Sequence, residues 1–262
     1  MEKKSITNHK VFLRKSAGYR NMVDKLLVIE RKYLKELDTK DVRGSQDYLE
    51  GLRITLSIAS YYIAQNEIYR SAFTNSNESI LKSARKYLAL SIDYLIKIYS
   101  TDPSFIYDEK DVRHKAHSEI DEFMGYKMVT RTGFYLEYLN TFFEPQSRWQ
   151  WNILDLSYEL ALVFKNTFNF KTLVQRLDIR ENNVYERKLY LNNLKINLNE
   201  VADGFRVKYE ITRMSIDMDK AIRTLEILRQ LHLALAEQKD IEAQNRKIEL
   251  WQAKVVTDQK MS

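Results

Sequence analysis

Between Phe205 and Val256 the chain runs for 52 residues without a glycine or a proline. Such a segment is poorly equipped to turn. It is dense in Glu, Lys, Arg, Gln, Leu and Ile, and Ile211, Met214, Met218, Ala221, Leu225 and Leu228 follow one another at alternating steps of three and four. That spacing is the seam pattern of a coiled coil. His232 and Leu235 take the next seam positions, so a polar ring interrupts the stripe, and His232 reads as a register-setting residue in a packed interface. Beyond it Ala234, Ile241, Ile248 and Val255 recur every seven residues on a shifted seam. A phase shift of this kind signals a change of partner or of local twist. As one helix the stretch would run roughly 78 Å, and most of that length needs something to cover its apolar side.

Composition points the same way. Six glycines and two prolines, Pro103 and Pro145, leave few turns in 262 residues. Sheets and barrels need many, so the expected fold is all-α, a helical bundle with a long coiled-coil-like hairpin arm. The expected division is an aromatic-rich bundle over 1–170 and the arm over 171–262. The absence of cysteine excludes a disulfide framework, thiolate catalysis and cysteine metal sites. The net charge of +6 is spread among interleaved acids and bases; it permits an anionic partner without identifying one. No apolar run is long enough to span a bilayer. The basic start MEKKSITNHKVF lacks the apolar core of a signal peptide. Met1 is then either the natural start or a replacement for a removed export signal.

Along the chain, Phe12, Tyr19, Met22, Leu26, Ile29 and Tyr33 trace one face of a first helix, with Gly18 inside it. A second helix, from about Gln46 to Phe73, is apolar over much of its circumference, with Leu52, Leu56, Ala59, Tyr62 and Ile63 facing inward. A helix of that kind is central to a bundle. Ser76 or Asn77 caps a third, amphipathic through Leu81, Ala84, Leu88, Ser91, Leu95 and Ile98, which stops before Pro103. Ser147 caps the apolar helix that begins RWQW. A long helix starting near Lys171 carries Leu177, Val184, Leu191 and Leu198 at heptad spacing, joined by Leu194 and Val201. Asp203-Gly204 is the expected turn into the glycine-free stretch, giving an antiparallel hairpin; without that turn the two would form one longer rod.

Motifs with chemistry are few. His114, His117, Glu119 and Asp121 lie at helical spacings that can bind zinc or manganese, but Arg113 and Lys115 are interleaved and a solvated charged face is the favoured reading. No phosphate loop, nucleophile elbow or HExxH pattern occurs. We expect no enzyme activity, no cofactor and no nucleic-acid partner. The aromatics are the sharpest signal: eleven of the residues between Phe134 and Phe170 are Phe, Tyr or Trp. Most of them suit a core corner. Tyr135, Tyr138, Phe142 and Phe143, with Arg148, Trp149 and Trp151 beyond the Pro145 turn, also have the composition of a docking edge, because aromatic rings beside arginine anchor protein interfaces.

A cysteine-free, Tyr- and Lys-rich chain with apolar helices such as YLEGLRITLSIASYYIAQNEIYRSAF, followed by paired long helices over Lys171–Val256, resembles the flagellar-coiling proteins of spirochaetes. The resemblance implies a non-enzymatic, periplasmic sheath subunit that binds the flagellar filament core and its sheath neighbours, helps to coil the filament, and self-assembles. No family functional residue transfers to a position here. The alternative is a cytoplasmic helical adaptor for an anionic partner, nucleic acid or membrane surface.

Overall fold

The computed structural model describes residues 2–102, 120–168 and 173–261, with side chains over 9–102, 120–168 and 173–260. The described residues are all-α, as expected, with nine helices and no strand. They divide into two compact units, one of residues 1–100 and 112–145, the other of 101–111 and 146–262. The division therefore falls just after Pro145 and not at 170. The helix that begins at Arg148 packs on the C-terminal helices, which is why it leaves the N-terminal bundle.

In the first unit α1 (Glu2–Asp38), α2 (Ser45–Phe73), α3 (Glu78–Tyr99) and α4 (Glu122–Asn140) are organised around α2, which touches the other three. Leu49, Leu52, Ile54, Leu56, Ile58, Ala59 and Ile63 are buried round its circumference, the all-round burial that its sequence predicts. Tyr62 is only half-buried. Asn77 caps α3 by accepting the Ile80 N–H at 3.1 Å, and its own N–H donates to Asn66 Oδ1 at 2.9 Å. All six predicted inward residues of α3 are buried, and Ser91 meets Thr55 of α2 through their hydroxyls at 2.9 Å.

The inward face of α1 differs from expectation. Tyr19, Met22 and Ile29 are exposed, whereas Phe12, Ser16, Val23 and Leu37 are buried. This helix packs chiefly on α2, so its contact stripe is narrow, and the small Ser16 is fully buried. On α4, Tyr126, Val129, Thr132, Leu136 and Leu139 are buried, and Asp121 caps the helix through the Met124 N–H at 3.0 Å.

The second unit contains α5 (Arg148–Asn166), the single turn α6 (Leu173–Arg176), α7 (Val184–Thr212), α8 (Ser215–Ala234) and α9 (Gln238–Met261). Ser147 caps α5 as expected, through the Gln150 N–H at 3.3 Å. The 52-residue stretch is not one helix, and the expected rod is absent. It comprises the end of α7, all of α8 and most of α9, with reversals at Arg213 and at Leu235–Glu237. The first long helix starts at Val184, not near Lys171, because Leu177 to Asn183 form turns.

Asp203-Gly204 is not a reversal either; α7 runs straight through it. Glycine there costs about 1 kcal/mol of helix propensity, which the burial of neighbouring Phe205 and Tyr209 outweighs. Gly204 serves instead for close approach, since a Cβ there would lie 2.7 Å from Leu154 Cδ1 of α5. The antiparallel pairing of two long helices does occur, as α7 against α8, with the turn nine residues later. Arg213 closes α7 in a left-handed conformation, its N–H donating to Tyr209 O at 2.8 Å. The buried Asp217 braces the start of α8, accepting from Thr212 Oγ1 at 3.0 Å and pairing with Lys208 at 3.1 Å.

Most heptad positions face inward, although Ala234, Leu235 and Val255 are only half-buried and Leu177 lies in the turn before α7. Met218, Ala221, Leu225, Leu228 and His232 are buried on α8, as are Ile241 and Ile248 on α9 and Leu191, Leu194, Leu198 and Val201 on α7. Ile211 and Met214 are exposed because they flank the Arg213 turn.

Two glycines of the first unit make a matched test of packing. A Cβ at Gly51 would lie 2.6 Å from both Tyr33 Oη and Tyr94 Cζ, whereas one at Gly18 meets nothing within 4 Å. Gly51→Ala is expected to lower unfolding free energy by about 1–3 kcal/mol through overpacking. Gly18→Ala is expected to raise it by up to about 1 kcal/mol through helix propensity. Urea denaturation of the two variants checks both signs.

Candidate functional site

The predicted docking residues are divided between the two compact units. Tyr135, Tyr138, Phe142 and Phe143 belong to α4 and the turn after it in the first unit, and Arg148, Trp149 and Trp151 belong to the first turn of α5 in the second. Trp149 and Trp151 are half-buried and Arg148 is exposed.

The α4 group makes a defined surface. With Val129, Thr132, Leu136 and Leu139 turned inward, helical spacing leaves Arg131, Phe134, Tyr135 and Tyr138 toward the outside. Phe134 is 60% exposed and lies parallel to Tyr138, with ring centroids 6.2 Å apart and planes 2° from parallel. Tyr135 meets the edge of Phe134 at 5.6 Å, and Phe142 meets Tyr138 at 5.3 Å. Arg131 lies 5.7 Å over Tyr135 and Arg70 5.1 Å over Phe142. Tyr138 donates its hydroxyl proton to Glu67 Oε1 at 2.9 Å, a bond that, with burial and the Glu67 charge, pushes its pKa up. The rings are thus held in a fixed ladder, with arginines at two of its members. Pre-ordered aromatics with cationic neighbours bind protein surfaces at low entropic cost. Phe134 was legible in the sequence only as one aromatic among many; its spacing of four from Tyr138, away from the buried positions, is the signal that identifies it.

His232 is buried at the end of α8, and its partners lie in the same chain. Its Nδ1 lies 2.6 Å from Glu237 Oε2, and Lys195 Nζ of α7 donates to both Glu237 oxygens at 2.6 Å. The histidine is the polar interruption of the seam that its position implies. Lys195 and Glu237 escaped the sequence reading, since only the turn brings them together. Ligand atoms of His232, Glu237 and Asp240 all lie within 4.8 Å of one another, a set that could hold a cation. Lys195 already places its ammonium on the Glu237 carboxylate, so the present arrangement is an organic clamp across the α8–α9 turn. Of the four residues whose helical spacing could bind zinc or manganese but which read first as a solvated charged face, His114, His117 and Glu119 lie outside the described residues, and Asp121 serves as the cap of α4.

A second charged assembly joins α5, α7 and α8. Asp155 pairs with Lys220 at 2.6 Å and with Lys208 at 3.4 Å, and both ammonium groups lie over the buried Phe205 ring, at 4.9 and 5.3 Å. Lys220 and Tyr158 border an open groove whose other walls include Ile216, Arg223, Gln252 and Val256. Lys165, at the end of α5, is buried, and desolvation lowers its pKa to about 8 against the opposing charge of Asp102. Its place in the last helical turn, where the dipole favours a cation, gives it a structural role.

The clamp makes a pH prediction. Burial alone would raise the pKa of Glu237, but the hydrogen bonds and charges of Lys195 and His232 hold it below the ordinary 4.5. A carboxyl depressed on folding contributes stability that is complete above 4.5 and is lost as pH falls through the lower, folded value. Glu237→Gln should therefore be less stable than the parent at pH 7, and the gap should close as pH falls below 4.5. Urea midpoints measured between pH 7 and pH 3 check this, and a gap independent of pH would contradict it.

Among the described residues no helix is long and apolar enough to cross a membrane. No curated protein and no solved structure matches the chain. Residues 8–259 match the TP0443 family, so the chain belongs to that family.

Proposed function

We propose that this is a non-enzymatic assembly protein that binds other proteins through fixed helical faces, as a sheath component of the periplasmic flagellar filament that contributes to its coiling. The observation that supports an assembly role is the aromatic ladder of α4, with Phe134 exposed and stacked on Tyr138 beside Arg131 and Arg70. The filament assignment rests on the overall resemblance to flagellar-coiling proteins. The assembly reading draws on surfaces whose side chains are ordered before any partner arrives, which lowers the entropic cost of docking.

The test is co-sedimentation with purified flagellar filaments stripped of their sheath. The parent chain is expected to pellet with the filaments. Phe134→Ala combined with Tyr138→Ala should weaken the association at least about tenfold, as loss of interface anchors does, while the urea midpoint moves little. Failure of the parent chain to pellet would remove the filament assignment. Binding that collapses steeply with salt would favour the adaptor for an anionic partner, since counterion release dominates such contacts.

A further inference from the structure

The turn between α8 and α9 is made of residues that do not favour turning. From Leu231 to Asp240 the sequence is LHLALAEQKD, with no glycine, proline, asparagine, serine or threonine. Most of these residues are strong helix formers. The backbone nonetheless closes α8 with a Schellman motif: the Glu237 N–H donates to His232 O at 3.0 Å and the Ala236 N–H to Leu233 O at 3.1 Å. The left-handed position of that motif is ordinarily glycine. Here Ala236 occupies it at φ 57°, where its Cβ crowds the following carbonyl. The Lys195–Glu237–His232 clamp pins this turn from α7 and α8.

The face that α9 covers is specific to α9. Ile241, Ile248 and Trp251 pack inward. Lys247 pairs with Asp203 at 2.8 Å and donates to Asn199 at 3.2 Å. Asp258 accepts from Tyr209 at 2.9 Å and from Arg213 at 2.8 Å, and Asn245 accepts from Arg229 at 3.1 Å. A segment that satisfied all of these groups would need the sequence of α9 itself.

We infer that the α8–α9 turn is a hinge that opens into one continuous helix, so that α9 of one copy docks on the α7–α8 face of a second copy in place of that copy's own α9. The exchange keeps every α9 contact and releases Ala236 to ordinary helical geometry. Short hinges under strain favour such swapping. A helix from 215 to 261 would be about 70 Å long at a rise of about 1.5 Å per residue. The inference deepens the assembly reading and rests on it, because it names a second copy as one of the partners.

The test uses the full chain, which has no native cysteine to interfere. Spin labels on Arg223→Cys and Gln252→Cys report the hinge, since both residues border one groove in the closed form. The opened helix places them about 44 Å apart. Labelled protein is diluted into excess unlabelled protein, so that only distances within one chain are read, and species are separated by size exclusion with light scattering. The monomer should give the short distance and the dimer the distance near 44 Å. Ala236→Gly, which accepts the left-handed position freely and weakens the continuous helix, should weaken dimerisation by about tenfold or more. Lys195→Met, which loosens the clamp, should strengthen it. A dimer that keeps the short distance would overturn the hinge while leaving self-association standing. A chain that stays monomeric at all concentrations, even as Lys195→Met, would overturn the exchange without touching the docking role of Phe134 and Tyr138.

Discussion

Thr74, Ser100, Gln146, Asn183, Arg213 and Ala236 all have positive φ in the described backbone, and no glycine does. Positive φ in the left-handed region costs a residue with a side chain on the order of 1–2 kcal/mol. The reversals are therefore imposed by what the helices gain once folded back. Burial of helix faces is the interaction on which everything else depends. A fully buried Leu or Phe contributes about 1.5–3 kcal/mol, so Leu194, Leu198, Phe205, Leu225 and Leu228 together outweigh the cost of the Arg213 turn many times over.

The same economy explains the glycines. Gly51 and Gly125 admit tyrosine side chains from α1 and α3, and Gly204 admits Leu154. In each case the missing Cβ allows close packing instead of a turn. At these three positions glycine serves packing, and the left-handed turn positions fall to residues that carry side chains. Asp217 beneath the Arg213 turn and the Lys195–Glu237–His232 clamp brace two of these turns. A turn held by a brace rather than by its own backbone preference is the kind that the proposed hinge requires.

The two candidate surfaces differ in kind. The α4 ladder is a stiff outward face, ordered by ring stacking and by Arg131, Arg70 and Glu67. The α7–α8 face is covered in the closed form and presented only when α9 departs. A protein that assembles through both has one contact ready at all times and one gated by its own conformation. Such an arrangement suits ordered growth of a larger structure.

The residue pattern by itself determined that the chain is helical, which residues of α2 and α3 and most of the seam residues of α7 and α8 face inward, that Ser147 caps α5, and that Ser76 or Asn77 caps α3. Those properties depend on local periodicity and on hydrogen bonds within a few residues, so Leu81, Leu95, Leu194, Met218 and Ile248 were legible where they stand. It did not reveal where the long helical stretch folds back. Asp203-Gly204 has the local chemistry of a turn and is helix, while Leu235–Glu237 has the local chemistry of helix and is a turn. Only tertiary packing decided those cases, because burying Phe205 against Tyr158, seating Leu154 on Gly204 and laying α9 along α8 are together worth more than the local preference of either segment. The same holds for the surfaces: the composition showed an aromatic concentration, but the identity of the helix beneath each ring is what leaves Phe134 exposed and buries Phe164 and Phe168.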